Sequence, residues 1–249
     1  MRPLIAGNWK MHGMQLQLGG IQAIADIVKE RPPYADIMIC PPSTLIARAA
    51  EIAADLVTIG GQDCHAEIAR PFTGDVSAQM LKDAGTSAVI VGHSERRQHH
   101  GETDAGVAAM AKAAWQAGLL AIICIGETDA QRRDGKALVV CANQIAGSVP
   151  LGTNAFAAAI AYEPLWAIGT GCTPTLEEIA EMHAHIWHNL GTLLGADGKN
   201  IRIIYGGSVK SSNAHEILTL AEVGGALVGG ASLKAEEFTA IFGATSSQA

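Results

Sequence analysis

The sequence predicts an α/β fold, a closed (β/α)8 barrel built as one domain over residues 1–249. Three observations predict it. Eight short, apolar, β-rich runs alternate with longer stretches of helical period along the whole chain. Eight strand–helix units in 249 residues match the size of such a barrel. No strand near the N-terminus leads into GxGxxG, the mark of the competing open, doubly wound sheet.

In chain order, the candidate strands are Leu4–Gly7, Ile37–Cys40, Val57–Gly60, Ala88–Val91, Leu119–Ile125, Ala157–Tyr162, Arg202–Tyr205 and Ala226–Val228. After the first strand, Ile21, Ile24, Ala25 and Val28 fall on one helical face. After the second, Pro41-Pro42 followed by Ser43 and Thr44 marks a helix start. After the sixth, Pro174 precedes Thr175-Leu176-Glu177-Glu178, which has capping-box spacing. Ile179, Met182, Ile186 and Leu190 then share a face. No Ser/Gly-rich linker, charge block or low-complexity run interrupts the series, so no domain boundary suggests itself.

Composition narrows the function. A hydrophobic content of 49% against 16% charged residues is that of a compact globular protein. The net charge of −7 argues against nucleic acid or an anionic membrane as partner, so any anionic ligand needs a locally positive site. The cysteines (Cys40, Cys64, Cys124, Cys141, Cys172) are odd in number and lack a CxxC pair, which speaks for a reducing compartment. No signal-peptide pattern is present, and no apolar run reaches the roughly 18 residues of a membrane span. A cytoplasmic enzyme is the expectation.

Barrel chemistry sits at the C-terminal ends of the strands. There the first strand runs into Asn8-Trp9-Lys10, the fourth into Gly92-His93-Ser94-Glu95-Arg96-Arg97, and the sixth into Tyr162-Glu163-Pro164. Singly, a Lys or Glu at a strand end is a solvated charge and a lone His a structural one. Converging at one mouth, they supply a cation, a hydrogen-bond donor and a base. Gly169-Thr170-Gly171, Gly206-Gly207-Ser208 and Gly229-Gly230 expose backbone N–H groups on loops six to eight, where barrels bind phosphate. Read plainly these glycines make turns; three clusters on adjacent loops favour an anion cradle. None is a P-loop. A metal centre is the first rival, but His183, His185 and His188 stand two and five residues apart, which does not put them on one helix face.

Several segments resemble triosephosphate isomerases: Asn8-Trp9-Lys10-Met11, Phe72-Thr73-Gly74, Gly92-His93-Ser94-Glu95-Arg96-Arg97 and Cys124-Ile125-Gly126-Glu127. So do Tyr162-Glu163-Pro164-Leu165-Trp166-Ala167-Ile168-Gly169-Thr170-Gly171, Tyr205-Gly206-Gly207-Ser208-Val209 and Val228-Gly229-Gly230-Ala231-Ser232. They occur in the family's order over essentially the whole chain. The resemblance implies a TIM barrel that interconverts dihydroxyacetone phosphate and glyceraldehyde 3-phosphate, a step of glycolysis and gluconeogenesis. It implies Glu163 as the base, Lys10 as the cation beside the enediolate and His93 as a neutral hydrogen-bond donor. The helix starting near Ser94–Arg97 is expected to disfavour the imidazolium. Asn8 would help hold substrate and Glu95 would orient the Lys10 region. Backbone N–H groups of Gly169, Ser208, Gly229 and Gly230 would bind the phosphate. No metal or organic cofactor is implied.

The resemblance further implies a lid over Pro164–Pro174 and a homodimer in which the Phe72-Thr73-Gly74 loop enters the neighbouring subunit. Cys172-Thr173-Pro174 departs from the commoner Lys-Thr-Ala, and proline there predicts a stiffer far hinge. His12 and Met110 also stand where relatives often carry Asn and Lys. Two alternatives remain open at this stage: an isomerase of a four-carbon sugar phosphate such as erythrulose phosphate, and a barrel kept for binding alone. Intact Lys10, His93 and Glu163 argue against the second.

Overall fold

The structure, a computed structural model, describes residues 1–168 and 173–245. Eight parallel strands close a barrel in sequence order: β1 (Leu4–Asn8), β2 (Asp36–Cys40), β3 (Thr58–Gly61), β4 (Ala88–Val91), β5 (Leu120–Ile125), β6 (Ala158–Tyr162), β7 (Arg202–Tyr205) and β8 (Gly225–Val228). Closure comes from β1 pairing with both β2 and β8, so that Leu4 lies beside Asp36 on one side and Gly225 on the other.

Helices fill the crossovers: α1 (Leu18–Glu30), α2 (Ile46–Ala53), α3 (Ala78–Asp83), α4 (Ser94–His100), α5 (Asp104–Gln116), α6 (Asp129–Arg133), α7 (Ala137–Ser148), α8 (Leu176–Leu194), α9 (Ala196–Lys199), α10 (Ala214–Leu218) and α11 (Ala235–Gly243). The predicted face of α1 is buried through Ile21, Ile24 and Ala25. Thr175 caps α8 as its spacing predicts: its hydroxyl accepts the Glu178 N–H (3.2 Å), and Glu178 accepts the Thr175 N–H (2.8 Å). Ser43 and Thr44 behave differently from expectation. They form a 3-10 turn over Ser43–Leu45 that leads into α2 without a side-chain cap.

Side chains alternate across the sheet because the strand period is two. Leu4 and Ala6, Met38 and Cys40, Ala88 and Ile90, Ile122 and Cys124, Ala159 and Ala161 pack inside the barrel with Ile204 and Leu227. Ile5, Ile39, Val89, Ile123 and Ile160 point outwards, into the larger layer shared with the helices. Alanine and cysteine inside leave room for closure without a pore. Cys40, Cys64, Cys124 and Cys141 are buried thiols, and Cys172 lies outside the described residues. Among the described residues, no helix is long and apolar enough to cross a membrane.

The three histidines of α8 part company. His183 is fully buried beside the Tyr162 and Tyr205 rings, with Nδ1 3.1 Å from the Glu222 carbonyl; His185 reaches the Leu138 carbonyl; His188 is exposed. Among the described residues, no group of three or more His, Cys, Asp or Glu side chains is placed to hold a metal ion.

Burial pulls the His183 imidazole down to about 4, against a small opposing effect of the Glu222 carbonyl. The unfolded chain protonates this ring near pH 6.5 and the folded one only near pH 4. Its contribution is therefore fully present above pH 6.5 and is lost as the pH falls towards 4, by on the order of 3 kcal/mol. His183→Gln, which cannot titrate, should flatten the acid limb of the stability curve in denaturant unfolding at pH 7 and pH 5. Equal losses in parent and variant would contradict this.

Candidate active site

At the end of β1 the chain turns sharply. Asn8 Oδ1 accepts the Lys10 N–H (2.9 Å), and Lys10 takes φ 54°, a left-handed conformation uncommon for a residue with a side chain. The Gln62 amide, just beyond β3, donates to the carbonyls of Lys10 (2.8 Å) and Cys40 (2.9 Å) and so pins that turn. The Lys10 ammonium meets Glu95 Oε1 at 2.5 Å.

β4 delivers Gly92 and His93, and His93 is the N-cap of α4. Its Nδ1 accepts the Glu95 N–H (3.3 Å), which leaves the ring proton on Nε2. Nε2 lies 2.8 Å from Glu163 Oε1. The other Glu163 oxygen accepts the Ser94 N–H (2.9 Å). β6 fixes the glutamate's backbone, since Glu163 N–H donates to Ile125 O (2.8 Å). Gly126 lets that strand end come close: a Cβ there would overlap the Glu163 carbonyl.

The electrostatics follow from burial and contact. Glu163 is 2% exposed, which alone would raise its carboxyl. The His93 ring, the Ser94 N–H and the Lys10 ammonium outweigh burial and hold it below the ordinary carboxylate range, so it is ionised at neutral pH. Burial likewise disfavours the His93 imidazolium, but the Glu163 carboxylate in contact, helped by Glu95, turns the net direction upwards. This differs from the expectation that the helix start lowers His93. The Glu95 N–H at the helix start does donate to the ring, and a carboxylate at 2.8 Å is the stronger influence.

Asn8, Lys10, His93 and Glu163 line one cavity of about 370 Å³ with Ser208, Gly229 and Gly230. A 3-10 turn over Gly230–Leu233 follows β8 directly, with Ser232 bonded back to the Gly229 carbonyl. Gly169 and Cys172 of the expected lid lie outside the described residues. Pro174 is buried immediately before the α8 cap.

Gln62 escaped the sequence reading, and Glu127 stood in a quoted segment without a role. Gln62 follows β3 and Glu127 follows β5, so the strand-end rule that located the others pointed to both. Glu127 is fully buried, and its Oε1 accepts from Tyr162 Oη (3.1 Å), Trp166 Nε1 (2.9 Å) and Arg132 (3.3 Å), tying down the turn after Glu163.

Comparison with known proteins agrees with this geometry. The family model described as Triosephosphate isomerase matches residues 3–245. A triosephosphate isomerase of Chelativorans sp. (strain BNC1) is 57% identical over 243 residues, covering 97% of this chain and 96% of the relative. One from Afipia carboxidovorans is 56% identical over 242 residues, with the same coverage of both. The crystal structure of triosephosphate isomerase from Bartonella henselae superposes with a TM-score of 0.92 at 48% identity, covering 98% of this chain and 99% of that one. With a matching family model and near-full-length relatives, this chain belongs to the triosephosphate isomerase family.

Proposed function

We propose that this single catalytic barrel interconverts dihydroxyacetone phosphate and glyceraldehyde 3-phosphate, with Glu163 moving the proton between adjacent carbons. The observation that carries the reading is one buried, ionised glutamate facing a histidine N–H and a lysine across a cavity of about 370 Å³.

In the free site both Glu163 oxygens are engaged, by His93 Nε2 and the Ser94 N–H. Substrate entering between Glu163 and His93 takes over the His93 contact. The released carboxylate removes the proton that the substrate carbonyl has acidified, giving an enediolate. His93 Nε2–H then donates to the oxygen that gains charge. With the carboxylate gone from its side, burial favours the neutral ring, which suits a donor that stays neutral. Lys10 places its positive charge beside that oxygen, oriented by Glu95. Asn8 holds the Lys10 turn and the substrate. The phosphate rests on N–H groups of Ser208, Gly229 and Gly230, with Gly169 assigned to the same cradle from the sequence. The residues themselves supply every step, so the reading needs no cofactor.

A substrate panel tests this. The triose should be turned over with a far higher kcat/KM than erythrulose phosphate; a preference for the four-carbon sugar would refute the assignment. The relatives carry the triose name, and nothing in the site favours the four-carbon alternative.

A homodimer completes the reading. Phe72 is half-exposed on the projecting Phe72-Thr73-Gly74 loop, and Met11, Met14 and Leu16 stand out in solvent. Beside the site lies a groove of about 940 Å³ lined by Lys10, Asp63, Glu95 and Glu102, where Asp63 Oδ1 and Glu102 Oε2 are buried without a hydrogen-bond partner among the described residues. A partner's loop entering this groove would cover Met11 and bring donors to those oxygens. Sedimentation should give twice the chain mass; a monomer at micromolar concentration would refute the dimer. A cytoplasmic location fits the four buried, unpaired cysteines among the described residues.

A further inference from the structure

Arg97, in the last turn of α4, is 16% exposed and is not among the described residues that line the reaction cavity. Its Nε donates to the Gly92 carbonyl (2.8 Å), and Nη2 donates to the Cys124 carbonyl (3.2 Å) and to Ser148 Oγ (3.0 Å). Nη1 pairs with Asp104 Oδ1 at 2.6 Å, and the Ser148 hydroxyl donates to the same oxygen (3.0 Å). The part-buried guanidinium thus has its counter-ion and a nearly full set of acceptors, the condition for such a charge to be held in one geometry.

The two carbonyls are what make this fork informative. Gly92 is the residue before His93. Its φ is +66°, and a Cβ there would lie 2.6 Å from Val107 and 3.2 Å from Arg97 Nη2, so the glycine is fitted against the guanidinium. Cys124 belongs to β5, next to Ile125, whose carbonyl accepts the Glu163 N–H at 2.8 Å. One side chain therefore links the strand end carrying His93 to the strand whose next residue anchors Glu163.

We infer that Arg97 is a positioning residue, setting the separation of His93 from Glu163 through the carbonyls of Gly92 and Cys124. The inference rests on the proposed roles of His93 and Glu163. Lysine can keep the charge opposite Asp104 but cannot reproduce a planar fork that reaches both carbonyls. A displacement on the order of 1 Å between reacting groups costs about 10² in rate.

The test assays parent, Arg97→Lys and His93→Gln side by side with glyceraldehyde 3-phosphate, with folding followed by circular dichroism. The ring-nitrogen shifts of His93 are read by 15N NMR. Folded Arg97→Lys should lose about 10²-fold in kcat with KM changed less than about threefold, and its His93 shifts should move. Parent-like kcat, or a loss carried by KM instead, overturns the positioning role while an active parent and an impaired His93→Gln leave the proposed function standing. An inactive parent overturns both. Should Arg97→Lys fail to fold, Ser148→Ala removes one partner of the same guanidinium. It should lower kcat about tenfold and shift the His93 nitrogens, and no change in either would overturn the inference.

Discussion

Glu163→Gln should lower kcat on the order of 10³-fold while leaving KM within a few-fold of the parent. The amide has nearly the size of the carboxylate, and its oxygen can still accept the Ser94 N–H that lies 2.9 Å from the native side chain. What it lacks is the capacity to take a proton. The site holds the native carboxyl ionised through His93, Ser94 and Lys10 despite near-complete burial, so the group proposed as base is ready at neutral pH. Glu163→Asp keeps the charge but withdraws it by about one methylene. Its loss should be smaller, about 10²-fold, because only placement is impaired. Steady-state kinetics on both variants separates basicity from position, and a Gln variant retaining more than a tenth of parental kcat would contradict the assignment of the base.

The second large effect belongs to Lys10. Lys10→Ala removes the ammonium that Glu95 holds at 2.5 Å on the rim of the cavity. A fixed charge beside a developing oxyanion in a water-poor site is worth about 10² to 10³ in rate. The variant should be nearly inactive, and added salt should not restore it. Ordinary turnover would remove Lys10 from the mechanism. The left-handed backbone at Lys10, pinned by Asn8 and Gln62, shows that the fold accepts an uncommon conformation at this point, where it aims the side chain into the cavity.

The barrel was legible because its strands are buried on both faces and read as unbroken apolar runs. Ala88–Val91 and Arg202–Tyr205 appear with the expected bounds, the third strand is shifted by one residue at both ends, and the other strands differ by one residue at an end. The differences have local causes. Leu119 closes the turn after α5 by donating its N–H to the Ala114 carbonyl, and Ala157 belongs to the Asn154 turn before β6. Short helices such as α6 and α10 span too few residues for a 3.6-residue period to show.

At the site, residue types at strand ends carried the reading, since topology alone brings residues 8, 10, 93 and 163 together. Contact electrostatics were not legible. The direction of the His93 shift depends on a carboxylate 70 residues away in sequence that lies 2.8 Å off in space, and the helix start alone pointed the other way. Arg97 was inside a quoted motif, yet its partners at 92, 104, 124 and 148 emerge only after folding.

The most direct test of proton transfer by Glu163 is isomerisation of glyceraldehyde 3-phosphate in heavy water, followed by NMR for parent and Glu163→Gln. The account predicts rapid turnover by the parent with solvent deuterium entering the carbon that receives the proton, and almost none of either in the variant. Full turnover by Glu163→Gln, or a parent that leaves the triose untouched, would contradict it.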